Sequence, residues 1–144
     1  MVCWVRMVDR VLLATKIAAI RDAVARIRSV LPADPDLFIS DRTTREVVVL
    51  NLFVALQESM SLAAHWLADE RLDVPRTYAE VFSRLGDRGV IPLDLAGRLA
   101  AASGFRNLVA HQYGVLNWTR VHAIASEHVD DLLVFCDELA RRAS

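Results

Sequence analysis

Lysine is almost missing from this chain. Lys16 is the only one among 17 positive residues, so arginine carries nearly all the cationic chemistry. The two cysteines, Cys3 and Cys136, make neither a disulfide framework nor a metal-ligand motif; a reducing compartment and buried thiols account for them. The five glycines form no phosphate-cradling loop, no segment alternates as a strand would, and no internal repeat or low-complexity tract is present. A net charge of −1 excludes the global basic field of a duplex-coating protein, so any nucleic-acid site has to be a local patch. Nor is there a long hydrophobic run. The longest nearly continuous one, Val47–Leu56, is interrupted by Asn51 and falls short of the roughly 20 residues of a membrane span. Asp9, Arg10, Lys16 and Arg21 interrupt the N-terminal apolar stretch, which therefore does not read as a signal sequence, and Met7 is an alternative start to Met1. These absences predict a cytoplasmic protein with no membrane span, no metal and no cofactor.

What the chain does have is apolar surface. It is 54% hydrophobic, with a mean hydropathy of +0.30, in only 144 residues. That length predicts one domain, residues 1–144. A small monomer has little interior for so much apolar surface, and a homodimer with a core-like interface resolves the mismatch.

Periodicity predicts an all-α, up-and-down bundle of four to five helices. The first spans about Val5 to Val30, with Val8, Leu12, Ala19, Ala23 and Ile27 on one stripe, and a connector containing Pro32 and Pro35 ends it. Asp41 or Thr43 caps the second, about Arg45 to Arg71. Its centre is apolar on nearly every side, which predicts burial all round, with Asn51 as a satisfied interior amide. Thr77 and Glu80 open a short third helix, closed by Gly86 and Gly89. The fourth begins near Pro92 and runs to about Tyr113, ended by Gly114, with Leu95, Leu99, Ala102, Arg106 and Tyr113 on one face; Gly104 loosens it just before the last turns. Asn117 caps the fifth, which runs to about Arg142 with Val121, Ala125, Val129, Leu132 and Phe135 inward.

The end of the fourth helix holds the most chemistry. Arg106, Asn107, His111 and Tyr113 lie within eight residues. Arginine offers a fixed fork of donors to phosphoryl oxygens, and histidine exchanges protons near neutral pH. On a continuous helix Arg106 and Tyr113 would share a face about 10 Å apart, with Asn107 and His111 as neighbours on its flank. Taken singly, each has a plainer reading: a surface ion pair, a packed or solvated ring, an amphipathic core edge.

The spacing is R-x4-H-x-Y, and by it the chain resembles the HEPN-domain proteins, specifically the HepT-like toxins of toxin–antitoxin pairs. The likeness extends through Pro75-Arg76-Thr77-Tyr78-Ala79-Glu80-Val81-Phe82 and Asp87-Arg88-Gly89-Val90-Ile91-Pro92, and more weakly to Leu62-Ala63-Ala64-His65-Trp66. The resemblance implies a metal-independent endoribonuclease in which the ribose 2′-OH attacks the adjacent phosphorus. It casts His111 as the proton-transfer residue, Arg106 as the cation on the phosphorane, and Asn107 as an orienting group, with both protomers of a homodimer facing one cleft. It also implies an antitoxin partner, a minimal nucleotidyltransferase that attaches AMP to Tyr113 and so blocks RNA at Arg106. An alternative is a non-catalytic nucleotide-binding subunit for that transferase. The chain departs from the family pattern at Ser61 and in Gly114-Val115-Leu116-Asn117, where relatives carry acidic residues. His65, His122 and His128 lack metal-ligand spacing, and His65 reads as a packed ring. Trp4, Trp66 and Trp118 could stack bases, although helical aromatics are core by default.

Overall fold

The computed structural model describes the backbone of residues 2–143 and the side chains of residues 10–143. The readings of Cys3, Trp4, Met7 and Val8 as side chains lie outside the described residues.

The first helix, α1 (Val2–Val30), buries Leu13, Ile17, Ile20, Val24 and Ile27 at three- and four-residue steps. Its stripe is thus centred one position away from the expected one. Ala23 and Ile27 are buried, but Leu12 and Ala19 are only half-buried at its edge.

The proline connector is partly helical. Pro35 starts a short helix, α2 (Pro35–Ser40), in a first-turn position where its missing N–H is no loss, and the Asp34 carboxylate accepts from the Asp36 amide at 2.9 Å. This turn drives Phe38 into the core at 0% exposure. Asp41 then caps α3 (Arg42–Asp69), accepting from the Thr44 amide at 3.3 Å and the Thr44 hydroxyl at 2.9 Å. Those two bonds hold the Asp41 carboxyl below its usual pKa. Arg71, at φ 58°, turns the chain out of α3.

Thr77 caps α4 (Tyr78–Asp87) through the Glu80 amide, as its sequence position suggests. Gly86 does not close this helix; it lies within it. A Cβ there would stand 2.7 Å from Ala96 Cβ, so glycine is what lets α4 approach α5 (Leu93–Gln112). Gly89 is the true stop, at φ +72°, with Val90 N–H bonding to Leu85 C=O.

Asn117 caps α6 (Trp118–Ala123), accepting from the Arg120 amide at 3.2 Å. This short helix runs through a wide π turn, Ile124–His128, into α7 (Val129–Ala143), so the expected last helix is one rod with a widened turn. Ser126 hydroxyl donates to His122 C=O at 2.7 Å within that turn.

All five expected helices are present and α2 is added, giving an all-α up-and-down bundle. At its centre α3 packs against α1, α4, α5 and α7. It is long and apolar enough to cross a membrane by composition, yet half of its most apolar stretch is buried inside the bundle. Within one protomer it is not covered on every side, whereas its composition calls for packing against both its own chain and a second subunit. Leu50 is 61% exposed, and Val47, Phe53 and Val54 are half-buried along the same uncovered strip. Asn51 is satisfied locally, its amide donating to Val47 C=O at 2.8 Å.

Ion pairs tie the rods together at the rim. Arg21 and Arg28 on α1 meet Asp137 and Asp130 on α7, and Arg98 on α5 bridges Asp94 and Asp131. Exposed pairs of this kind contribute little each, because water and salt screen them. The lone lysine is better sheltered: Lys16 meets Glu58 of α3 at 2.8 Å with 17% of its side chain exposed.

Two outcomes follow from the packing. Gly86→Ala should destabilise the fold by roughly 1–2 kcal/mol in urea titration, since α4 and α5 must part and the gain in helix propensity offsets only some of the overpacking. Cys136 is fully buried on α7, and burial pushes its thiol up to about 12. The folded chain therefore keeps this proton to higher pH than the unfolded chain, whose thiol titrates near about 8.5. Stability is complete below that value and declines as pH climbs from there toward 12. Urea midpoints at about pH 8 and about pH 10 should fall further apart in the native chain than in Cys136→Ala. Equal declines in both would mean that the thiol is not responsible.

Candidate functional site

Near the end of α5, Arg106 turns toward α3. Its Nε donates to Gln57 Oε1 at 2.8 Å, Nη1 donates to Asn107 Oδ1 at 3.0 Å, and the guanidinium carbon lies 5.4 Å from the centroid of the Phe53 ring. Three contacts thus fix the direction of a charged side chain that remains half-buried at the surface. Nη2 has no protein partner among the described residues and is the natural donor to an incoming phosphate oxygen.

His111 follows five residues later, which on a helix is about 7.5 Å along the axis and about 140° around it. The imidazole is exposed, and no described group hydrogen-bonds to it. Asn107, four residues before it, belongs to the same flank and draws the Arg106 guanidinium toward that side. Asn107 is thus held beside Arg106, whereas the exposed His111 lies about 1.4 turns further along α5.

Tyr113 is not in line with Arg106. The α-helix ends at Gln112, whose φ −138° and ψ 40° break the run, and Tyr113–Val115 forms a tighter 3-10 turn. Gly114 lies inside that turn and does not end the helix. Tyr113 instead meets Trp118 edge-on, with ring centroids 6.0 Å apart. Trp118 is held in turn by Phe38 at 6.2 Å and by the Arg45 guanidinium 5.1 Å above its ring. Arg45 Nη1 is anchored on the Ile39 carbonyl, while its buried Nε finds no hydrogen-bond partner.

The other expectations resolve locally. His122 is buried against Phe38 and its Nε2 sits 2.8 Å from the Pro32 carbonyl oxygen. His65 is exposed rather than packed, because it falls on the outer face of α3. His128 is exposed beside Glu127, and Trp66 donates to Glu70 at 3.0 Å. Among the described residues no group of three or more His, Cys, Asp or Glu side chains is placed to hold a metal ion. A groove of about 520 Å³ lies between α3, α5 and the α6–α7 rod, with Leu52, Leu99, Phe105 and Ile124 in its lining and Arg120 at its rim. None of the four motif residues lines it, so the motif occupies an open edge of the protomer.

Sequence reasoning missed Gln57, Phe53 and Arg45. Gln57 carried the best signal, as a polar residue directly after the apolar run of α3. Its partner 49 positions away is a fact of tertiary structure.

The profile of the family described as ribonuclease HepT-like matches residues 20–139. The chain is 29% identical over 126 residues to a protein of Shewanella oneidensis named mRNA nuclease HepT, covering 88% of this chain and 94% of that one. Among solved structures, a tri-AMPylated HEPN toxin of Shewanella oneidensis in complex with MNT antitoxin aligns with a TM-score of 0.83 at 28% identity, over 90% of this chain and 97% of that chain. A toxin–antitoxin complex with AMP-PNP gives the same TM-score at 27% identity, over 90% and 98%. YutE, a cytosolic protein of Bacillus subtilis, shares the fold at 13% identity with a TM-score of 0.82, over 93% and 90%.

Proposed function

This chain belongs to the ribonuclease HepT-like family, and we propose that it is the toxin of a toxin–antitoxin pair, an endoribonuclease whose reaction centre is Arg106 and His111. Residues 1–144 act as one HEPN-like helical domain, and two copies form the working unit.

The observation that carries this reading is the fixed guanidinium. Gln57, Asn107 and Phe53 orient Arg106 before any substrate arrives, and preorganised donors are what stabilise developing charge on a phosphoryl group. The uncovered strip of α3, with Leu50 at its most exposed point, includes Phe53 and offers apolar surface for the second copy. Docking there would bring two motif edges to one cleft.

In that cleft the ribose 2′-OH attacks the adjacent phosphorus and the bond to the next nucleotide's 5′-oxygen breaks. One imidazole takes the 2′-OH proton, and its counterpart on the second protomer protonates the leaving oxygen. Arg106 neutralises the non-bridging oxygens between the two. The proton balance closes without a metal ion, leaving a 2′,3′-cyclic phosphate and a 5′-OH. A nucleotidyltransferase antitoxin partner silences the toxin by transferring AMP to Tyr113, a reading supported by the adenylylated relative bound to its antitoxin.

The test is RNA cleavage by the purified protein in the presence of a chelator, with end-group analysis of the products. His111→Ala should reduce the rate by about 10²–10⁴ and Arg106→Ala by about 10²–10³, with helical content unchanged. Gln57→Ala leaves the cation present but unaimed and should cost roughly one to two orders of magnitude. Undiminished cleavage in the Arg106/His111 double substitution would remove the assigned centre. Loss of cleavage on chelation would instead require a metal-dependent reaction.

A further inference from the structure

The groove between α3, α5 and the α6–α7 rod lies outside the chemistry assigned to the motif. Its volume of about 520 Å³ falls within the roughly 300–1,000 Å³ of small-molecule sites. Leu52, Leu99 and Phe105 line it as buried residues, and Leu108 and Ile124 as half-buried ones. Two backbone features border it. The π turn Ile124–His128 widens the rod, and both end residues of that turn line the groove. Such turns are rare and frequently mark functional sites. On α5, Gly104 also lines the groove, and a Cβ added there would meet nothing within 4 Å.

The lining decides which ligand fits. It has no hydroxyl or amide side chain, so a nucleobase would bring in several donors and acceptors without partners. Of its charged groups, Arg98 is committed: Nε donates to both Asp131 oxygens at 3.1 Å and Nη1 to Asp94 at 3.2 Å. His128 lies 4.0 Å from Glu127. The Arg120 side chain, at the rim, has no hydrogen bond or ion pair among the described residues. An apolar groove with one uncommitted cation calls for an apolar body with one anionic head.

We propose that this groove binds a free aliphatic monocarboxylate, its chain against Leu52, Phe105 and Ile124 and its carboxylate on the Arg120 guanidinium. Two planar groups of this kind share a pair of parallel N–H···O bonds. Burial of the chain supplies most of the affinity, and the ion pair fixes the direction in which the chain enters. Neither Arg106 nor His111 lines the groove, so binding there is read without an RNA substrate.

The experiment is calorimetric titration of the full-length protein with octanoate, with octanol as the uncharged control. Octanoate should saturate at one molecule per protomer, and decanoate, two methylenes longer, should bind roughly tenfold more tightly. Arg120→Gln should weaken octanoate roughly tenfold, the scale of one charge-assisted hydrogen bond, and leave octanol unchanged. Gly104→Leu adds bulk at the groove wall and should weaken both ligands by about tenfold or more. Arg120 and Gly104 are exposed, so circular dichroism should find both variants folded. No saturable binding to the native protein overturns the site, and so does binding that Gly104→Leu leaves intact, which is detergent-like adsorption. Equal octanoate affinity in native and Arg120→Gln proteins overturns the carboxylate assignment. Affinity that falls as protein concentration rises overturns the proposal too, since a second copy would then be what fills the groove.

Discussion

The packing of α3 inside the bundle is the constraint on which the rest of this molecule depends. Its apolar length is too great to be left in water, so α1, α4, α5 and α7 are arranged around it. That burial fixes the position of α3 relative to α5, and with it the meeting of Gln57 and Phe53 with Arg106. The candidate centre is thus a by-product of core formation: a guanidinium is aimed by a helix whose main role is hydrophobic. The same constraint leaves a strip containing Leu50 uncovered, an apolar surface open to a second copy.

A smaller cluster organises the other end of the motif. Phe38, fully buried on α2, contacts both Trp118 and His122 on α6, while Arg45 at the start of α3 covers Trp118. Three elements distant in sequence converge there, and the aromatic edge they present receives Tyr113. The motif is therefore divided between two supports. Arg106 is held where α5 meets α3, with Asn107 beside it. Tyr113 belongs to the α2–α6 corner, a separate footing only a few residues away in the chain.

Caps and helix spans were legible from residue type because their physics is local. Asp41, Thr77 and Asn117 each satisfy an amide within three residues, as their side chains allow wherever the neighbouring backbone turns helical. Pro35 and Gly86 misled for an equally physical reason. Proline both breaks and begins helices, and glycine serves both flexibility and close approach; only the neighbouring Phe38 core and the Ala96 methyl decide between these roles. The inline placement of Tyr113 failed because it assumed that the helix continues through Gln112.

The R-x4-H-x-Y spacing, the helical periods and the excess of apolar residues were properties of the chain alone. They sufficed for an all-α bundle and for the family to which it belongs. What the tertiary structure decided was direction: Arg106 toward Gln57, Tyr113 toward Trp118, and Leu50 toward solvent. Periodicity records which residues can share a helix face, because it follows from backbone geometry. Which neighbour that face meets depends on how several helices jointly bury their apolar area, a compromise that no single segment encodes.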